Sequence, residues 1–254
     1  MAATRTWDGG GGADTNWSTD ANWSSDTEPV SGDTVVFDNT SDNNSTIDAS
    51  FTGTVTTINI NSGYDGTITM ARSFTTTTFT QAAGSFTAAN QTLDINGAFT
   101  LSAGTFTASS GSTTLAGALT ISGSSIFNHN SGTWSFDAST SGTLSCNNVT
   151  FNSVIFAHGG GTKTVSSNCN LPLGNNPSIG LGTASLTVNG TLTGTGTITT
   201  VNILTLNTGA SLSGFSGLVT STLTISGANL DAGTYSTFDV NGAFNLSSGT
   251  FAAP

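Results

Sequence analysis

The sequence predicts an all-β fold, a parallel β-solenoid of about ten coils of roughly 20 residues, closed at its start by a cap rich in Trp and Asp. Three observations predict it. The composition holds 49 Thr, 35 Ser, 32 Gly and 24 Asn in 254 residues, types suited to strands and turns, and a single Glu. Long stretches repeat with a period of 20. Within each repeat, apolar residues alternate with Thr, Ser, Asp or Asn, the pattern of a half-buried strand.

The first 48 residues stand apart. They carry nine of the 14 carboxylates and three of the four tryptophans, and with Arg5 a net charge of −8 out of −11. Residues 1–48 are therefore expected to form an N-terminal cap and residues 49–254 the solenoid body, in one continuous fold. Asp8, Asp14, Asp20 and Asp26 recur every six residues, and Asp38, Asp42 and Asp48 follow among asparagines. Hard oxygen donors of this kind suit a structural calcium, with Asp8, Asp14, Asp20, Asp38 and Asp42 as candidate ligands, yet aspartates are equally favoured in turns and no EF-hand or nonapeptide calcium motif is present. Trp7, Trp17 and Trp23 are the candidate glycan contacts, since exposed indoles stack on sugars; the competing expectation is that they plug the first coil. No other cofactor is called for.

The body repeats openly. GSFTAANQTLDINGAFTLSA (84–103) aligns with GTFTASSGSTTLAGALTISG (104–123), placing Phe86 with Phe106, Ile95 with Leu115, Phe99 with Leu119 and Leu101 with Ile121. The next coil slips by one residue and sets Phe127 opposite Phe106. FDVNGAFNLSSGTFAAP (238–254) nearly copies LDINGAFTLSAGTFTAS (93–109). Strands of three to five residues punctuated by NG, SAG or SSG fit three to a coil, and the glycines supply positive φ at tight corners. Stacking at about 4.8 Å makes ten coils a rod of roughly 50 Å. No polar cap follows Phe251, so the chain reads either as a piece of a longer solenoid or as one whose open edge stacks on a neighbour; both expectations include self-association.

Function classes fall away quickly. Three cations cannot neutralise a nucleic-acid backbone, so no nucleic-acid partner is expected. No apolar run approaches the roughly 18 residues of a membrane helix, and MAATRTWDGG has no apolar signal core, so export would need a removed signal or another route. Cys146 and Cys169 are expected as buried free thiols, although they would pair if they fell on adjacent layers. Asp94 and Asp239 occupy equivalent outward positions but lie 145 residues apart, too far for a glycosidase pair. His129 and His158 sit in turn-like settings with no nucleophile, Lys163 and Arg72 show no carboxylate partner in sequence, and Gly159-Gly160-Gly161 before Lys163 lacks the spacing of a phosphate loop. Rows such as Ser85-x-Thr87, Thr105-x-Thr107 and Thr234-x-Ser236 are of the ice-binding type but recur irregularly.

The run TWDGGGGADTNWSTDANWSSDTEPVSGDTVVFD resembles the opening module of large secreted or surface-anchored bacterial proteins with autotransporter-associated-type β-strand repeats, and GTFTASSG and FNHNSGTWSFD are similar to their coils. That resemblance implies a right-handed parallel β-helix, an extracellular or cell-surface location and a non-enzymatic adhesive or structural role with no catalytic residue. The chain is shorter than such proteins and shows no export signal. The expected function is thus a surface fibre or scaffold segment stacking end to end; the alternatives are a glycan-binding or glycan-cleaving fibre of the phage tail type and an ice-binding solenoid.

Overall fold

The computed structural model describes residues 2–137, 140–157, 160–173 and 185–254, with the backbone alone at 199–201. Among the described residues the fold is all-β, parallel strands stacked as a β-solenoid of about ten turns, with one short 3-10 turn at Asp20–Asn22 as the sole helical element. Among the same residues no helix is long and apolar enough to cross a membrane. The chain packs as two compact units, Met1–Leu115 with Thr120–Thr133, and Ala116–Leu119 with Trp134–Pro254.

In the first unit one face stacks the strands Ser45–Ile47, Thr67–Met70, Ser85–Thr87, Thr105–Thr107 and Ile126–Asn128. Their inward positions run Ser45, Ile68, Phe86, Phe106, Phe127, so the pairing of Phe86 with Phe106 and the one-residue slip to Phe127 both appear in the register. Phe86 and Phe106 lie nearly parallel with ring centroids 5.5 Å apart, and Phe79 and Phe99 likewise at 5.2 Å. The strand Phe74–Gln81 pairs with both Leu93–Ile95 and Phe99–Leu101, aligning Thr76 with Ile95 and Phe79 with Phe99. The later coil thus spends one residue more at this bend. Gly97 sits there because a Cβ would lie 2.6 Å from the Thr77 carbonyl.

Residues 1–48 enter the stack at once, since Thr4–Thr6 pairs with Thr34–Phe37, which pairs with Val55–Ile60, and Ser45–Ile47 pairs with Thr67–Met70. The tryptophans and acidic turns are the links between these first strands.

The second unit repeats the plan with longer strands, Thr197–Asn207 and Gly217–Asp231. One inward column runs Leu144, Val165, Val188, Leu206, Ile225, Leu246, and the next runs Gly142, Lys163, Leu186, Leu204, Leu223, Phe244. Burial alternates along each inner strand, and Leu186, Val188, Leu204, Leu223 and Ile225 are fully enclosed. In the final strand, Phe244–Ala252, Phe244 and Leu246 remain 40% and 48% exposed.

Candidate functional site

The tryptophans of the N-terminal region are core. Trp7, Trp17 and Trp23 are each 0% exposed. Trp23 meets Trp7 and Trp17 edge-on at 5.1 and 5.2 Å, and Phe37 stacks against both of those rings at 5.9 and 5.8 Å. Their indole N–H groups donate to the carbonyl of Asn43 (Trp7), the Ser45 hydroxyl (Trp17) and the carbonyl of Trp17 (Trp23). The expectation that these three side chains contact a glycan is therefore corrected. No indole face is open to a sugar, because each ring buries its large apolar area and its one donor inside the protein.

The aspartates are turn residues. Asp8 accepts the N–H of Gly10, Asp14 that of Asn16, and Asp38 that of Thr40, each two residues on. Asp14 also accepts the Thr19 hydroxyl, Asp20 accepts the Glu28 N–H, and Asp42 accepts the Asp65 N–H in the next coil. Among the described residues no group of three or more His, Cys, Asp or Glu converges to hold a metal ion. The calcium candidates Asp8, Asp14, Asp20, Asp38 and Asp42 are thus dispersed, since a six-residue recurrence in a looped segment does not bring oxygens to one point. Asp33 and Asp48 are the buried acids. Burial alone would raise the Asp33 carboxyl, but the N–H groups of Ala3 and Val30, with Arg5 at 3.6 Å, hold it below the ordinary range. Asp48 is likewise pushed up by burial and brought lower overall by the Ser18 N–H and hydroxyl and the Ser50 N–H.

The two cysteines correct the thiol expectation. Cys146 and Cys169 form a disulfide with Cα atoms 4.9 Å apart. Register explains it: Gly142–Ser145 pairs with Thr162–Val165, so the two cysteines lie one coil apart, and neighbouring strands sit at about the Cα separation a disulfide spans. The Asn147 and Asn148 backbones at φ 49° and 58° turn the chain directly after Cys146.

Lys163 is the unusual buried cation. It occupies an inward position and is 0% exposed, with Gly142 stacked beside it in the previous coil. Its Nζ donates to the Ala116 carbonyl at 2.7 Å, a carbonyl that also accepts the Thr140 hydroxyl at 3.2 Å. Burial lowers the ammonium pKa, and the charge of Asp137 opposes that shift. Arg72 donates to the Phe51 carbonyl and lies 6.0 Å from the Phe74 ring. Asp94 accepts hydroxyls from Thr75 and Thr114, and His129 Nδ1 accepts the Ser131 N–H, so both are engaged in surface bonding. His158 and Gly159 lie outside the described residues.

The outward faces carry aligned hydroxyls. In the first unit Thr46, Thr69, Thr87 and Thr107 form one column ending at Asn128. In the second, Thr143, Thr164, Thr187, Thr205 and Thr224 form another ending at Asn245. The second column escapes sequence inspection because successive members are separated by 21, 23, 18 and 19 residues. Only strand register reveals it.

One open groove also escaped the sequence reading. It lies in the first unit where four successive coils bend, with a volume of about 250 Å³, and is lined chiefly by Thr together with Ser31 and Asn96. No ionised side chain lines it. Set beside known proteins, the chain matches no family model, no curated protein and no solved structure.

Proposed function

We propose that the chain is a non-enzymatic structural or adhesive segment of an extracellular or cell-surface β-solenoid protein of the autotransporter-associated-repeat kind, self-associating or stacking on neighbouring solenoid segments. The observation that carries this reading is the in-register stacking of parallel coils behind a Thr- and Ser-rich exterior that is nearly uncharged beyond residue 48, in which buried polar side chains serve the scaffold. The buried disulfide between adjacent coils supports an oxidising location, since such bonds persist outside the cytosol. Exposed Phe244 and Leu246 on an outer strand supply an apolar edge for association. Negative-stain electron microscopy and sedimentation across a concentration series test it: filaments or concentration-dependent oligomers are expected. A strictly monomeric particle at high concentration would remove self-association from the reading.

The five-threonine column supports a second reading, ice binding, because its hydroxyls repeat at about the 4.8 Å strand spacing on a regular face. Thermal hysteresis or inhibition of ice recrystallisation, lost in Thr187→Lys, would establish it; no effect on ice at millimolar protein would dismiss it.

A further inference from the structure

We propose that the groove at the bend of the first unit is a binding site for a neutral, linear glycan, a reading that rests on the adhesive half of the function proposed above. The groove has two hydroxyl-bearing walls. Thr54 and Thr75 flank one side of the inward pair Val55 and Thr76, and Thr56 and Thr77 flank the other. Ser31 extends the first wall, its hydroxyl 3.3 Å from that of Thr54, and Asn96 extends the second. Strand stacking repeats these groups at about 4.8 Å along the axis, so the walls offer a row of donors and acceptors to an extended chain.

The floor is rigid. Thr76 is 2% exposed, and its hydroxyl lies within bonding distance of the Thr56 carbonyl at 3.2 Å and the Thr78 carbonyl at 3.4 Å, tying the bend to its own backbone. The rim is different: among the described residues the Thr56 and Thr77 hydroxyls and the Asn96 amide make no bond to another protein group, and all three side chains are exposed. Hydroxyls donate and accept, and the amide does both, which matches the paired donor and acceptor character of sugar hydroxyls. The electrostatics select against acidic chains. No cation is among the lining residues, and the Asp94 carboxylate accepts from the lining Thr75. A uronate or sialylated chain would meet only like charge there.

The volume of about 250 Å³ falls a little below the about 300–1,000 Å³ of a site that encloses a whole small ligand. The groove therefore holds a short stretch of a longer chain. No aromatic side chain lines it, so binding comes from hydrogen bonds that replace water, and affinity is low for each sugar.

The test is saturation-transfer NMR and calorimetry of the full 254-residue chain with cellohexaose, maltohexaose and mannohexaose, and with hexagalacturonate as the acidic counterpart. At least one neutral oligomer is expected to bind, and the uronate at least tenfold more weakly. Thr56→Val with Thr77→Val removes two rim hydroxyls while keeping β-branched shape, and is expected to weaken binding at least tenfold with an unchanged circular dichroism spectrum. Should that pair fail to fold, Asn96→Ala, at an exposed turn, gives the same readout. Binding of none of the neutral oligomers, equal binding of the uronate, or binding undiminished in the rim variants would overturn the inference. Failure here with filaments present removes the groove alone; groove binding without filaments removes only the scaffold reading.

Discussion

Breaking the disulfide is the sharpest test of the coil register in the second unit. Cys146 and Cys169 are 23 residues apart in sequence and joined across adjacent coils. In the chain-entropy account, closing a loop of that length removes about 11 cal/mol/K from the unfolded ensemble, or about 3.4 kcal/mol at 25 °C. The native side contributes little beyond this, because Cys146 is 0% and Cys169 3% exposed and reduced cysteines fill the same space as small apolar groups. For a unit of this size, about 3.4 kcal/mol corresponds to a fall in Tm of roughly 13 °C. The assay compares oxidised protein, protein reduced under denaturing conditions and refolded, and the Cys146→Ala, Cys169→Ala double variant, by calorimetry and urea titration. Burial also predicts that reductant acts on the native protein only through unfolding. Two reactive thiols on denaturing the untreated protein without reductant would refute the pairing. A loss below about 1 kcal/mol on reduction would refute the loop argument.

Other expectations follow from single side chains. Phe106, buried and flanked by Phe86 and Phe127 at 5.5 and 6.1 Å, should cost the first unit about 3–5 kcal/mol on Phe106→Ala, measured by urea titration, because its column has no neighbour free to fill the gap. Lys163→Met should leave the second unit as stable or more stable by about 1 kcal/mol at neutral pH, since it removes a buried charge while Thr140 still serves the Ala116 carbonyl. The native protein should gain stability as pH rises from the lowered folded pKa toward the unfolded value of about 10, because its lysine binds a proton less readily folded than unfolded, and Lys163→Met should lose that gain in a Tm-against-pH series. Asp33 and Asp48 have lowered folded pKa values, so their contribution is full above the unfolded value of about 4 and disappears as pH falls through the folded values. Asp33→Asn and Asp48→Asn should be less stable at pH 7 and show a flatter acid transition when tryptophan fluorescence follows unfolding.

Much of the fold was legible because period-two alternation and a 20-residue repeat are local signals. The stacking of Phe86 on Phe106 and of Ile95 on Leu115 is read from two aligned lines of sequence, and both pairs are in register in the fold. The site was far less legible. Tryptophans near acidic turns look the same in sequence whether they face a sugar or plug a coil, and only packing around Phe37 decides between them. The groove is formed by residues from four coils, and its key geometry, the bend at Thr76, comes from a one-residue difference between neighbouring coils that no motif marks.

Local composition and pattern are enough for the class of structure: strands rather than helices, coils rather than hairpins, a nearly neutral body behind an acidic start. Those follow from backbone propensity and from the apolar pattern, which each residue carries with it. Tertiary structure alone decided which residues meet. Variable coil lengths shift register from one turn to the next, so the pairing of Cys146 with Cys169, the burial of Lys163 beside Gly142 and the five-threonine column arise only when each coil settles on the one before it. Hydrogen-bonded stacking imposes the spacing, and corner length sets which side chain it falls upon.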